Sequence, residues 1–222
     1  MPFRPLPSID PDVYLGMWHV EEDERYFLDR LSIYENEQRI LSSISHPQKR
    51  LEWMSSRLCL KELLKITHRV ESLNESTGKP YLSDHSFHIS YSHSNMYSGA
   101  IASEVYRVSI DLEDLSKKRN PRTRFLFMHP QELDQYEAAS DSRLFFLIWS
   151  AKETLFKMHA KKGEIAFRKH LIINPERKAL QQSGTVLGLL NANGIEKTYT
   201  IYYRFFAGVL LTFTHDPSLP AQ

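Results

Sequence analysis

Asp111 and Glu113 stand two residues apart in the segment Val108-Ser109-Ile110-Asp111-Leu112-Glu113. Apolar and polar residues alternate there, which predicts a β-strand with Val108, Ile110 and Leu112 facing a core. Ser109, Asp111 and Glu113 then share the opposite face, with the two carboxylates within roughly 7 Å at about 3.3 Å rise per residue. Partly desolvated like charges at that separation repel, so either one binds a proton or a cation sits between them. A hard divalent ion such as Mg²⁺, which takes one or two carboxylates together with substrate phosphates, suits the pattern. An edge strand with a solvated acidic face explains the same six residues without chemistry.

Further candidates lie on segments that read as helices and turns. Trp149-Ser150-Ala151-Lys152-Glu153-Thr154-Leu155-Phe156-Lys157 belongs to a strongly apolar helix whose core stripe runs through Leu144, Ile148, Ala151, Leu155 and Met158. Glu153 and Lys157 are one turn apart on a neighbouring face, as a surface ion pair worth about 0.2–0.5 kcal/mol or as groups facing a cleft. Arg57 is in line with Trp53, Leu60 and Leu64, where an arginine must snorkel, find a carboxylate or meet an anionic ligand. Gly78-Lys79-Pro80 presents an ammonium on a stiffened turn, useful for a phosphate and also ordinary for a loop. His85, His88 and His93 match no zinc spacing; His93, at a strand end among serine hydroxyls, is the one suited to a phosphate contact.

These residues need elements to position them. A strand is expected at Val13 to Val20, one or two helices from Glu21 to Leu41, and a long helix from His46-Pro47 to about Thr67. Asn74 to Pro80 reads as a turn-rich loop. Strands follow at Phe87 to Tyr91, Tyr97 to Ser103 and Val108 to Glu113, then helices near Pro130 to Ala139 and Asp141 to His159. Asn193-Gly194 marks a hairpin between Thr185–Leu190 and Lys197–Phe205, and Gly208 to Thr214 forms the last strand. The order of strand, helices and strands occurs twice. It suggests an α+β chain of two similar lobes, 1–105 and 106–222.

The 222 residues are 41% hydrophobic with a formal net charge of +1, which suits one large domain or two small lobes and leaves no nucleic-acid footprint or polybasic membrane patch. The single cysteine, Cys59, excludes an internal disulfide and reads as a small buried hydrophobe in a reducing compartment. The first seven residues have no apolar run of signal-peptide length, and Phe205 to Phe213 is too short to span a bilayer. A cytoplasmic protein is expected.

Taken in order, the segments resemble the 4′-phosphopantetheinyl transferase superfamily in its longer, surfactin-type, two-lobe class. Ile89-Ser90-Tyr91-Ser92-His93-Ser94 is similar to its I-S-x-S-H-S segment, and Ser109 to Glu113 to its glycine–Ile/Val–Asp–Ile/Val–Glu strand. Trp149 to Lys157 is similar to its Trp–Ser/Thr–x–Lys–Glu–Ser/Ala–x–x–Lys helix. Gly78-Lys79-Pro80 precedes them, and Arg57 stands where the family has an arginine in the preceding helix. The resemblance implies a pseudo-twofold α+β fold with its site in a cleft between lobes. It also implies transfer of phosphopantetheine from coenzyme A to a serine of an acyl or peptidyl carrier protein, releasing adenosine 3′,5′-bisphosphate. Asp111, Glu113 and Glu153 would hold Mg²⁺ on the pyrophosphate. Glu153, directly or through a bound water, would take the proton from the serine, and Lys157 would pair with pyrophosphate oxygens. Arg57, Lys79, Ser92 and His93 would hold the other phosphates of coenzyme A, with Pro80 beside them. A monomer follows by analogy, since one chain supplies both walls of the cleft.

Three departures stand out. Ser109 replaces the family's glycine, and only Gly163 remains of the glycine-rich turn after the helix. Leu41-Ser42-Ser43-Ile44 has none of the lysines that the family often places before the arginine helix, although Arg39, Lys49 and Arg50 are nearby. Two rival functions follow. A non-catalytic module of the same fold would bind coenzyme A or a carrier without turnover. A Mg²⁺-dependent pyrophosphate hydrolase would release pantetheine phosphate without a carrier.

Overall fold

The computed structural model describes residues 2–66, 69–94, 96–139, 141–159, 165–174, 180–192 and 194–217. The chain is a mixed α+β protein that divides into two compact units, Met1–Val108 with His215–Gln222, and Ser109–Thr214. No helix among the described residues is long and apolar enough to cross a membrane.

The first unit runs β1 (Phe3–Pro5), β2 (Tyr14–His19), α1 (Glu24–Arg30), α2 (Glu35–Ser43), α3 (Pro47–Leu64), β3 (Ser72–Asn74), β4 (Pro80–Leu82), β5 (His88–Ser94) and β6 (Tyr97–Ser103). Its four-stranded antiparallel sheet has the order β1-β2-β6-β5. The helix α3 packs on β2 and β6. Pro47 occupies its first turn, where the missing N–H costs nothing, and the helix stops at Leu64 with Lys65 in the left-handed region. The expected end at Thr67 lies outside the described residues. Met54, Leu58, Cys59 and Leu60 of α3 meet Trp18, Ile89, Ala100 and Ala102 of the sheet in one core. Burial there pushes the Cys59 thiol pKa up, so the thiol stays protonated.

The stretch expected as a loop, Asn74 to Pro80, is the turn of a hairpin whose two short strands the sequence did not suggest. β3 and β4 pair from Ser72↔Leu82 to Asn74↔Pro80 around the turn that carries Lys79. Gly78 has φ +90°, a conformation other residues rarely adopt, so the glycine is what lets the turn close ahead of Lys79. Strands of three residues carry too little alternation to stand out from a run of Asn, Glu, Ser and Gly.

The second unit begins within β7 (Arg107–Asp114), followed by a short helical turn at Pro121–Thr123, α4 (Arg124–Phe127), α5 (Pro130–Ala138), α6 (Arg143–His159), α7 (Phe167–His170), β8 (Leu171–Asn174), β9 (Ser183–Ala192), β10 (Ile195–Phe206) and β11 (Val209–Asp216). The five-stranded sheet has the order β7-β11-β10-β9-β8. β9 and β10 form the expected hairpin, with Ala192 opposite Ile195 and Gly194 at φ +76°; Asn193 lies outside the described residues. Leu144, Ile148, Ala151, Leu155 and Met158 of α6 are all buried, forming the apolar stripe expected from their spacing.

One glycine sets how closely α6 approaches the sheet. A Cβ at Gly188 would fall 2.6 Å from Ile201 Cδ1 and 2.7 Å from Leu155 Cδ1, both ends of fully buried side chains. Gly188→Ala is therefore expected to overpack this core and cost about 1–3 kcal/mol, read as a lower urea midpoint. An unchanged midpoint would mean that the core has slack.

Candidate functional site

Strand β7 presents its residues as the alternation predicts, but neither face is solvated. Val108, Ile110 and Leu112 are buried, and Asp111 and Glu113 are only 5% and 7% exposed. The strand lies at the end of its sheet, yet its acidic residues are not a wet edge. Helix α6 supplies much of the polar company of those carboxylates.

Asp111 is held at both oxygens. Lys157 Nζ donates to Oδ1 at 2.8 Å and also to the Ile110 carbonyl at 3.0 Å. Ser150 Oγ donates to Oδ2 at 2.8 Å. Ser150 is itself 2.7 Å from Thr212 Oγ1, which lies 2.7 Å from Thr154 Oγ1, so a buried ladder of hydroxyls joins α6 to β11. Ser150 and Thr154 lie one turn apart, and their shared contact with Thr212 fixes the helix on the sheet at the level of Glu153.

Glu113 is held in the same manner. Trp149 Nε1 donates to Oε1 at 2.6 Å, and Arg119 Nη2 pairs with Oε2 at 2.5 Å. The Arg119 guanidinium lies 5.3 Å from the Trp149 ring centre, and its Nε is buried without a hydrogen-bond partner. Burial, and then the Asp111 charge, push the Glu113 carboxyl pKa upward, while Arg119 and Trp149 oppose the rise.

Glu153 projects from α6 into this field. Its carboxyl is raised from the ordinary 4.5 to about 7, first by burial and then by Asp111, with Glu113 adding and Lys157 and Arg119 opposing. Three carboxylates and two cations leave one excess negative charge in a desolvated place. Three carboxylates form a hard oxygen donor set, which suits a divalent cation of the Mg²⁺ type. Among the described residues, however, no group of three or more His, Cys, Asp or Glu side chains is spaced to hold an ion. The strand carboxylates are turned toward Lys157, Ser150, Trp149 and Arg119. The donor chemistry fits a cation, and gathering the donors on it requires Lys157 and Arg119 to yield.

Beneath the site, Lys152 is completely buried. Its Nζ donates to the carbonyls of Phe127, Phe167 and Leu171 at 2.7–3.0 Å and pairs with Glu132 at 2.7 Å. One ammonium thereby ties α6 to the end of α4, to the starts of α7 and β8, and to α5. Arg119 and Lys152 were both passed over in the sequence. The cue for Arg119 was the basic run Lys117-Lys118-Arg119 six residues past Glu113. The cue for Lys152 was a lysine on the apolar side of a helix.

The remaining candidates belong to the first unit. Arg57 is 5% exposed and has internal partners. It lies 3.7 Å from the Trp53 ring centre, donates to the Trp53 carbonyl at 3.1 Å, and approaches Glu37 at 3.9 Å. Burial brings its pKa down to about 10. Glu37, fully buried, is also gripped by Arg69. Lys79 and Pro80 stand at the start of β4. Lys79 is half-buried, and burial, then Arg107, lower its pKa. Ser92 is buried on β5, whereas the neighbouring His93 side chain is 41% exposed and lies 3.1 Å from Glu52. Lys49 shares that carboxylate at 2.7 Å, while Arg50 is committed to Glu24 and the Leu41 carbonyl. Residues 160–163, where the family has its glycine-rich segment, lie outside the described residues.

Removing Glu37 would leave two buried guanidiniums with no carboxylate between them. Glu37→Gln is expected to cost the protein about 3 kcal/mol or more, measured by urea denaturation; a loss under about 1 kcal/mol would contradict the pairing.

The family model for the 4′-phosphopantetheinyl transferase superfamily matches residues 107–198, from the start of β7 into β10. No curated protein matches the chain. The matched stretch includes Asp111, Glu113, Glu153 and Lys157.

Proposed function

We propose that this protein transfers the 4′-phosphopantetheine group of coenzyme A to a serine of an acyl or peptidyl carrier protein, with Mg²⁺ and with adenosine 3′,5′-bisphosphate as the other product. The observation that carries the proposal is the electrostatic meeting of Glu153 with Asp111 and Glu113, in the stretch that matches the transferase superfamily. Supporting the surfactin-type, two-lobe reading, each unit taken by itself sets one long helix on an antiparallel sheet. The lone, buried Cys59 suits a reducing cytoplasm, and a monomer is the simplest form of such a chain.

The chemical problem is displacement at a diphosphate. Charge on the phosphoryl oxygens must be neutralised, and the attacking and leaving oxygens must be held in line. Asp111, Glu113 and Glu153 are the residues that would hold Mg²⁺. When bound, the ion supplies Lewis-acid neutralisation of the diphosphate. Lys157, already aimed across α6 at β7, brings an ammonium to the same oxygens. Ser150 and Trp149 hold one oxygen each of Asp111 and Glu113, and the other oxygen of each, paired with Lys157 and Arg119, is the one to be turned to the ion. Glu153 is proposed to accept the serine proton, directly or through a bound water; the burial and the Asp111 charge that raise its pKa to about 7 act in the cation-free chain, and a bound cation would lower it. In the first unit, Lys79, Pro80, Ser92 and His93 are proposed to take the nucleotide end of coenzyme A. Arg57 is proposed to act from within the unit, next to Tyr91 of the strand that carries Ser92 and His93.

The test is to incubate the protein with coenzyme A, Mg²⁺ and several apo carrier proteins, and to weigh the carriers. A gain of one phosphopantetheinyl group on a serine is expected, and none after Asp111→Ala. No gain on any carrier, beside a working control transferase, would overturn the proposal. Release of pantetheine phosphate without a carrier would replace it with hydrolysis.

A further inference from the structure

Arg119 occupies an unusual position for a surface-loop arginine. It lies between the end of β7 and the Pro121–Thr123 turn, and its side chain is 30% exposed. One end of its guanidinium pairs with Glu113 Oε2, the carboxylate oxygen that Trp149 does not hold. Its guanidinium carbon lies 5.3 Å from the Trp149 ring centre and 5.9 Å from that of Phe146. Its Nε is buried and has no hydrogen-bond partner. The group is therefore half satisfied, seated on an aromatic platform, and in contact with a carboxylate that the proposed function assigns to a cation.

A guanidinium presents a planar fork that matches carboxylate and phosphate alike, and an aromatic platform leaves it able to pivot in its own plane. A divalent cation and Arg119 compete for Glu113, because both neutralise the same oxygen. A diphosphate arriving beside that oxygen offers the displaced guanidinium a second anion of matching geometry. The Trp149 hydrogen bond to Oε1 keeps Glu113 in place during such an exchange.

Resting on the proposed function, we infer that Arg119 is an exchangeable counter-ion: it holds Glu113 until a divalent cation takes that carboxylate, then turns to the diphosphate of coenzyme A. Arg119 thus opposes the cation alone and favours the cation together with substrate. A purely structural arginine would not affect the two in opposite directions.

The experiment measures Mn²⁺ binding to the full chain by calorimetry without coenzyme A, and separately the KM for coenzyme A. It compares wild type with Arg119→Met and Arg119→Lys. Arg119→Met is expected to bind Mn²⁺ about tenfold tighter and to raise the KM for coenzyme A about tenfold, while Arg119→Lys falls between it and wild type on both readings. Unchanged or weaker Mn²⁺ binding in a folded Arg119→Met protein overturns the inference, and intact wild-type transfer then leaves the proposed function standing. If Arg119→Met does not fold, the decision passes to Arg119→Lys, for which Mn²⁺ binding no tighter than wild type is the contrary result. If wild type binds coenzyme A and Mn²⁺ but modifies no carrier, transfer is the claim that fails, and the opposite shifts in Mn²⁺ and coenzyme A affinity still test Arg119. A wild-type protein that binds no Mn²⁺ even with coenzyme A present overturns both.

Discussion

Glu153→Gln is expected to lower the rate of carrier modification by about 10²–10⁴-fold while raising the stability of the cation-free protein at alkaline pH. Glutamine keeps the size of the side chain and removes the oxygen that accepts a proton or binds a cation. The stability effect has a definite sign. Burial and the Asp111 charge raise the folded-state carboxyl pKa from 4.5 to about 7, so the folded chain holds this proton more tightly than the unfolded chain does. The resulting stability is complete below pH 4.5 and is lost as pH rises through 7. In EDTA at pH 8, glutamine should therefore gain about 1–2 kcal/mol over glutamate, after allowance for the part of the group that faces solvent; near pH 4 it should gain nothing. Paired urea titrations at the two pH values read this. A loss of stability at pH 8 would mean that Glu153 is paired in the folded protein and is not a repelled carboxylate.

Lys152→Met is expected to be the most disruptive single change in the second unit. It leaves Glu132 as a buried charge without its cation and three carbonyls without their donor. Breaking a buried pair by removing one partner costs about 3–5 kcal/mol, a large share of the 5–15 kcal/mol that holds a domain folded. Glu132 would still accept from the backbone N–H of Ile173 and His129, so it cannot turn to water without uncovering the edge of β8 and the start of α5. Adding Glu132→Gln to the Lys152→Met chain should recover part of the loss by removing the orphaned charge. Urea midpoints of the single and double variants make the comparison. A single-variant loss below about 1 kcal/mol would show that the ammonium is dispensable.

The larger elements were legible because their periods are long enough to read. α6 carries its apolar stripe over 17 residues, and β5 and β7 alternate over seven and eight. β1, β3, β4 and β8 escaped because three or four residues hold less than one reliable repeat. Asp111, Glu113, Glu153 and Lys157 could be picked from the sequence because carboxylates on a strand and charges on an apolar helix violate the surrounding pattern. Their partners could not. Ser150 and Thr212 are ordinary residues whose importance arises from long-range contacts, 39 residues apart for Ser150 and Asp111 and 62 for Ser150 and Thr212, and Arg119, six residues past Glu113, gains its place from Trp149 and Phe146 of α6. Arg57 shows the opposite limit. Its place in an apolar stripe marked it as unusual, but only the fold reveals Glu37, Arg69 and Tyr91 around it.

Anomalous diffraction from a crystal grown with coenzyme A and Mn²⁺ bears most directly on the carboxylate site. A manganese peak coordinated by Asp111, Glu113 and Glu153 and by the diphosphate of coenzyme A is the predicted result. Coenzyme A bound with its diphosphate away from these three side chains, or manganese seated elsewhere while they keep Lys157 and Arg119, would contradict it.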